Sequence, residues 1–352
     1  MTKPNESWRF RLNNAIDTLL ELCSMPGPSG FETPVALRAS ALLEECMDEV
    51  WTDVLGNVIG VRRCWKANAC KLLFDAHIDE TGLIITGAEE GFLRFAALGG
   101  ADEKVLPAAE VKILSDQPLF GVVGVMPPHV LMKEETEKAV KIDDMFIDVG
   151  LSQEESEKAA PPGTPVVFAH GARLLGKNRM CGKALDDRAG FVSILRAIEK
   201  LGNTPLNADL YVMASVQEEV GTRGAAPGVY AIEPDQCVVI DVGHAKTPDS
   251  KPVETMEELD GGVIISRGPN MNAELTETAI KLAREYDIKH QINVEPGGNS
   301  GTNARAIQIS RDGVATALLS IPMRYMHSAY EVLSLDDIES TARLLAEIAK
   351  KM

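Results

Sequence analysis

Two adjacent carboxylates, Glu218 and Glu219, follow the apolar run LYVMASV (210–216) in the stretch QEEVGTRGA (217–225). An apolar run of that length reads as a buried strand, so the pair sits where a strand leaves its sheet. Side chains alternate along an extended chain, so the two neighbours point apart and can take different jobs. By itself a Glu-Glu pair is an acidic turn. Other stretches repeat the placement. KLLFDAHIDETG (71–82) puts His77, Asp79 and Glu80 at the end of an apolar run. His-x-Asp is a spacing at which a carboxylate can hold an imidazole in one orientation. Asp186 and Asp187 open an amphipathic helical stretch, where an N-cap is the ordinary reading. QCVVID ends in Asp241, and His327 lies just past a further apolar run.

Taken together, two imidazoles and several carboxylates gather at strand exits, the edge at which open α/β sheets bind ligands. Such a donor set suits a borderline divalent metal. Five ligands exceed the needs of one open catalytic zinc. A shared Asp bridging two metals accounts for the number, each metal taking one His, one terminal carboxylate and half of the bridge. Paired metals are a recurrent hydrolase device.

The elements that must position these groups alternate. Apolar periodicity predicts helices over 8–24 and 33–47, with PGPSG (26–30) between them. Two short strands flank Gly56-Asn57 in 49–62. From 81 to 169 the pieces are short, β-rich and Gly-punctuated: LIITG, FLRFAAL, AEVKIL, GVVGVM. Helical signal there is confined to 133–140 and to a turn at Ser152, where Glu155 completes a capping box. This predicts a small β-rich, barrel-like domain inserted into a larger one, with His129 and His170 structural. Helices then recur over 182–202, 271–286 and 335–352, and INVEPGGNSGTNARAI (292–307) is a Gly/Asn-rich loop. Near-continuous apolar strands alternating with helices predict an α/β three-layer domain with a mostly parallel sheet. The expected division is 1–80 with 170–352 for that domain, and 81–169 for the insert.

Composition narrows the function classes. The 352 residues carry a net charge of -17, which repels a nucleic-acid backbone. No run of 18 apolar residues offers a membrane span, and the first residues lack an apolar signal core, so a cytoplasmic protein is expected. None of the six cysteines, Cys23, Cys46, Cys64, Cys70, Cys181 and Cys237, forms CxxC. Reduced thiols are expected rather than disulfides or a zinc ribbon.

The chain resembles the dinuclear-metal aminopeptidase family that includes glutamyl and deblocking aminopeptidases and the tetrahedral, dodecameric aminopeptidases. The matching stretches are DAHIDETG (75–82), LGG (98–100), FIDVG (146–150), KALDDRAG (183–190), QEEVGTRGA, IDVGHA (240–245) and IPMRYMHSAYEV (321–332), in family order across almost the whole chain. The resemblance implies metal ligands His77, Asp186, Glu219, Asp241 and His327, with Asp186 bridging. It implies Glu218 as catalytic acid/base and Asp79 as the support of His77. It also implies two divalent ions per subunit, zinc or cobalt with manganese as a further option. Short peptides are the implied substrates, and the implied assembly runs through dimers, formed by the inserted domain, to a dodecamer. One departure is GTNA (301–304), where the family has Gly-Thr-Asp-Ala, so Asn303 is a candidate substrate contact along with Arg324.

The alternatives are an endoglucanase-like glycoside hydrolase using a carboxyl pair, a metal-dependent deacylase, and a non-catalytic shell that keeps the fold. Aromatics make up only 5% of the chain, few platforms for sugar rings, and two imidazoles have no role in glycoside cleavage.

Overall fold

The computed structural model describes residues 15–127, 139–250, 257–296 and 301–352. The expected helix over 133–140, His129 and part of the Gly/Asn-rich loop fall wholly or mostly outside them, as does the start of the first helix.

Helices α1 (Ala15–Ser24) and α2 (Thr33–Glu44) lead into strands β1 (Glu49–Thr52), β2 (Val58–Arg62) and β3 (Lys71–His77). The turn between β1 and β2 closes on Asp53, whose Oδ1 accepts backbone N–H groups from Leu55, Gly56 and Asn57 at 2.9–3.0 Å. Next come β4 (Gly82–Glu89), β5 (Phe92–Leu98), β6 (Glu110–Ile113), β7 (Leu119–Gly124), β8 (Phe146–Asp148), α3 (Gln153–Ala159) and β9 (Pro165–Phe168). Strands β4 to β9 close into an antiparallel barrel in the order β4-β5-β8-β7-β6-β9. Inward-facing Leu83, Ile85, Leu93, Phe95, Val111 and Ile147 give it a core of its own. Glu155 accepts from the Ser152 backbone N–H at 2.9 Å and starts α3 as a capping box does. His170 pairs with exposed Glu110 at 2.5 Å, away from the strand exits that carry the candidate ligands.

The chain then returns to the first layer. It runs through β10 (Arg173–Leu175), β11 (Arg179–Gly182), α4 (Leu185–Leu201), β12 (Asp209–Ser215), α5 (Ala225–Ile232), β13 (Gln236–His244) and β14 (Val263–Arg267). It finishes with α6 (Ala273–Glu285), β15 (His290–Val294), α7 (Ala304–Ile307), β16 (Ala315–Arg324), β17 (Glu331–Ser334) and α8 (Leu335–Lys351). These strands form an 11-stranded sheet, β1-β2-β12-β3-β13-β16-β17-β11-β10, with β14 and β15 branching from β16. The centre, β12-β3-β13-β16, is parallel, and β14 is parallel to β15, so most strands have a parallel neighbour; the flanks are antiparallel.

Both faces of that centre are covered, which is why its strands read as unbroken apolar runs. On one face Leu72, Phe74 and Ala76 of β3 pack beneath α1, α2, α4, α6 and α8. On the other, Leu73 of β3 and Tyr211 and Met213 of β12 meet α5 and α7. Each fully buried Leu or Ile in these layers contributes about 1.5–3 kcal/mol. The result is a rigid sheet whose four parallel strands end at one edge. Among the described residues no helix is long and apolar enough to cross a membrane.

Candidate metal centre and active site

His77 is the last residue of β3, and the loop behind it is fixed by Asp79. The His77 ring is 2% exposed. Its Nδ1 lies 3.4 Å from Asp79 Oδ1, and its Nε2 lies 2.9 Å from Asp186 Oδ1. Asp79 has more than one task. Its carboxylate accepts the Ser29 hydroxyl at 2.6 Å and the backbone N–H groups of Glu218 and Glu219 at 3.0 and 3.2 Å. One buried acid thus ties the end of β3 to the turn after β12.

That turn is tight. Gly224 N donates to Val216 O, Arg223 N to Gln217 O, and both Thr222 N and Gly221 N to Glu218 O. Gly221 has φ +112, a conformation that favours glycine. Glu32, distant in sequence, accepts from Gln217 N at 3.1 Å. Asp79 therefore holds the backbones of Glu218 and Glu219, and Glu32 that of Gln217 before them.

The Asp-Asp pair divides its labour. Asp187 is fully buried and accepts the backbone N–H of Gly190 at 3.1 Å, the bond an N-cap makes to the third helical residue. Asp186 has φ -75 and ψ 108, outside the helical region, and turns to the two imidazoles. Its Oδ2 is 3.5 Å from His327 Nε2. The peptide between the two is cis. The N-cap expectation is met by Asp187, while Asp186 faces the imidazoles of His77 and His327.

His327 lies beyond β16 in a turn with φ 61, and its side chain is 32% exposed. Nδ1 faces Gly100 O at 3.1 Å, and Nε2 lies 3.4 Å from Glu219 Oε2. A Cβ on Gly100 would stand 2.7 Å from that Nδ1, so the LGG stretch needs glycine there for close approach.

Glu331 escaped the sequence reading, which placed Glu80 at a strand end but gave it no role. Glu331, 3% exposed, accepts Leu185 N at 2.8 Å and Asp186 N at 3.2 Å on one oxygen, and His327 N at 3.1 Å on the other. It does for the Asp186–His327 side what Asp79 does for the His77 side. Its signal was an acid at the head of the apolar strand EVLS, four residues after His327. Behind the site, buried Glu80 takes both Lys183 Nζ bonds at 2.7 Å and Arg188 at 3.2 Å. Arg188 also donates to the carbonyls of Leu22, Met25 and Ile78. This ion cluster fixes the start of α4, which carries Asp186.

The structure brings all five proposed ligands and Glu218 together. Ligand atoms of His77, Asp186 and Asp241 lie within 4.8 Å of one another, and so do those of Asp186, Glu219 and His327. Asp186 belongs to both groups, and Asp187 to neither. The charges fit cations. Burial, then the charge of Asp186, pushes Glu219 and Asp241 well above the usual carboxylate range. Burial lifts Glu218 to about 7. Burial opposes charge on Asp186 too, but hydrogen bonds from His327 and His77 outweigh it and hold that carboxyl low. Among the described residues no lysine or arginine pairs with any of these acids. A crowded set of oxygen and imidazole donors short of positive charge is what a divalent-metal site requires.

The two candidate substrate contacts stand elsewhere. Asn303 is 1% exposed and turned inward, its amide donating to Asp75 Oδ2 and Ser215 Oγ at 2.9 Å each. An Asp there would set two carboxylates against each other, whereas the amide supplies the donor that Asp75 needs. Arg324 donates to Lys246 O at 2.7 Å and stays off the cleft wall. From the same loop as Asn303, Gly301, Thr302 and Arg305 line the cleft instead.

The comparisons with known proteins agree with this geometry. Residues 56–344 match the family described as M42 glutamyl aminopeptidase. A lysyl aminopeptidase of Pyrococcus furiosus is 36% identical over 344 residues, covering 96% of this chain and 97% of that protein. A solved aminopeptidase from the archaeon Desulfurococcus kamchatkensis superposes with a TM-score of 0.89 at 34% identity, covering 96% of this chain and 95% of the other. The Pyrococcus horikoshii TET1 peptidase, reported to assemble into a tetrahedron or a large octahedral shell, gives 0.83 at 30% identity, covering 96% and 100%. With one family matched over most of its length and relatives matched end to end, the chain belongs to the M42 glutamyl aminopeptidase family and is a peptide hydrolase.

Proposed function

We propose that this protein is a metal-dependent aminopeptidase that removes N-terminal residues from short peptides with two divalent cations at its centre. The observation that carries the reading is the pair of three-ligand groups sharing Asp186, with Glu218 on the same cleft wall. His77 and Asp241 would hold one cation, Glu219 and His327 the other, and Asp186 both. When bound, such cations lower the pKa of a water and polarise a carbonyl. Zinc, cobalt and manganese all accept this donor set.

The remaining steps belong to the chain. Glu218 takes the proton of the attacking water and later delivers it to the leaving amine, general acid–base work. Its backbone is held by Asp79, so the carboxylate reaches the cleft from a fixed stem. Asp79 also keeps the His77 ring in one orientation. The barrel would serve as a dimer contact, and relatives of the tetrahedral kind make a larger particle the expected assembly; light scattering on the purified protein measures it.

The names of relatives divide between lysyl and glutamyl. The deciding experiment offers aminoacyl chromogenic substrates, an N-blocked peptide and soluble cellulose to the metal-loaded protein, before and after chelation. Chelator-sensitive turnover of free-amino substrates alone is expected. Turnover of the blocked peptide would favour a deacylase, and turnover of cellulose a glycosidase.

A further inference from the structure

The cleft beside the candidate metal ligands encloses about 800 Å³, and Gly301, Thr302 and Arg305 form part of its lining. None of the three belongs to a ligand group. Gly301 and Arg305 are exposed and Thr302 is half-buried, whereas Asn303 between them is 1% exposed. Asn303 opens α7, where its carbonyl accepts Ala306 N and Ile307 N at 3.0 Å each. Ala304 and Ile307 then enter the apolar layer beneath β3, β12 and β16.

The Asn303 amide grips two strands at once. Side chains alternate along a strand, so Leu73, Asp75 and His77 of β3 share one face, as do Tyr211, Met213 and Ser215 of β12. That is the face α7 covers. The two strands are parallel with Ser215 in register with His77, and Ile78 N donates to Ser215 O at 2.9 Å. Asn303 Nδ2 donates to Asp75 Oδ2 and to Ser215 Oγ, each at 2.9 Å. Asp75 and Ser215 are both fully buried. Asp75 stands just before His77 on β3, and Ser215 just before the turn that carries Glu218. An amide suits this place because one nitrogen offers two donors in a fixed plane, here to a carboxylate and a hydroxyl. The same two strand ends thus hold the cleft loop and carry His77 and Glu218.

We propose that Asn303 is a positioning residue: through Asp75 and Ser215 it fixes Gly301, Thr302 and Arg305 as a substrate-binding wall, aligned with the catalytic wall. The assignment rests on the aminopeptidase reading above. Asn303 itself faces inward and reaches no reacting atom. The wall it holds carries no candidate ligand and no acid or base, so its contacts with a substrate are kept from ground state to transition state. Displacing such a wall raises KM and leaves kcat alone.

The test exchanges the two partners. Asn303→Asp sets a second buried carboxyl group against Asp75 and takes the amide donor from Ser215. For the metal-loaded protein and its best aminoacyl fluorogenic amide, KM should rise about tenfold and kcat stay within about threefold, the scale of one lost binding contact. The D75N/N303D double variant puts the amide on β3 and the carboxylate on the loop, and KM should return to within about threefold of wild type. Asn303→Ser adds no charge and is too short for both partners. It should raise KM by about threefold or more, and it carries the test if Asn303→Asp does not fold. A role in stability alone would shrink the folded fraction, lowering apparent kcat at unchanged KM, and that result overturns the proposal. So does a double variant no better than Asn303→Asp, because Asp75 and Asn303 would then not act through each other. Absence of wild-type turnover on every free-amino substrate overturns the aminopeptidase reading itself, a result distinct from normal wild-type turnover with KM unmoved in the variants.

Discussion

The two halves of the candidate centre are built differently. Around His77 everything is interior: the ring is 2% exposed, Asp241 sits within β13, and Asp79 is fully buried. Around His327 the ligands ride on turns: the ring is 32% exposed, its backbone is left-handed, and Glu219 belongs to the turn after β12. Strands hold side chains more precisely than loops do. The inner half would therefore be prebuilt for the proposed cation, and the outer half would gain more of its order from the cation it holds. A prebuilt site does not spend binding energy on ordering its ligands. The inner position should bind the tighter cation and the outer the exchangeable one.

Asp186 is the one proposed ligand shared by both groups, so its loss should have the largest effect. Asp186→Asn keeps the size but removes the charge that both groups share. Bound metal, by elemental analysis, should fall from about two per chain to below one, and kcat by about 10⁴-fold, on the order of losing a metal-activated nucleophile. Two cations retained in this variant would mean that the halves are independent sites.

Glu218 sits between the halves without being counted as a ligand of either. Glu218→Gln should keep both cations and lose about 10²–10⁴-fold in kcat, the usual worth of general acid–base catalysis. Near-normal turnover would remove it from the proposed proton path.

The halves themselves are separated by His77→Ala and His327→Ala. The second should keep one tightly held cation and the first should not, when each is dialysed against a graded chelator. In the wild type, the same dialysis should release the two cations in two steps. A single step, or equal losses in the two variants, would mean that burial does not rank the sites.

How much of this could be read in the sequence follows from which contacts are local. His77 and Asp241 were visible because each closes an apolar run, and a strand that is buried on both faces announces itself without tertiary knowledge. The capping box at Ser152 was visible for the same reason, since its partners are three residues apart. The split between Asp186 and Asp187 came only from the family resemblance. Adjacent identical residues carry no periodic signal, and only the bond from Gly190 shows which one caps α4. For Asn303 and Arg324 the side-chain partners lie far off in the chain, so the sequence did not show them. In the fold one donates inward to Asp75 and the other holds the Lys246 carbonyl. The barrel's short strands could be recognised, but the order β4-β5-β8-β7-β6-β9 depends on pairings far apart in the chain.

Glu331 gives the smallest effect and the sharpest check on the comparison. Asp79 and Glu331 are parallel devices, each a buried carboxylate that accepts two or more backbone N–H groups of the site. Only Asp79 also faces the His77 ring, and only Glu331 holds the His327 turn. Glu331→Gln keeps the shape, but its amide leaves one carbonyl oxygen for three N–H groups. One side therefore goes unpaired, with the amide N–H₂ facing a donor. A buried bond to a charged acceptor is worth about 1.5–3 kcal/mol, so the melting temperature should drop by a few degrees. Asp79→Asn should cost a similar amount of stability, but it also frees the His77 ring. The two variants should thus melt alike and bind metal differently: Glu331→Gln loosens the outer cation through the His327 turn, and Asp79→Asn loosens the inner one by about 10–100-fold. If both variants weakened the same cation, Asp186, which touches both imidazoles, or the Asp79 bond to the Glu219 N–H would be transmitting the disturbance, and the centre would behave as one unit despite its two architectures.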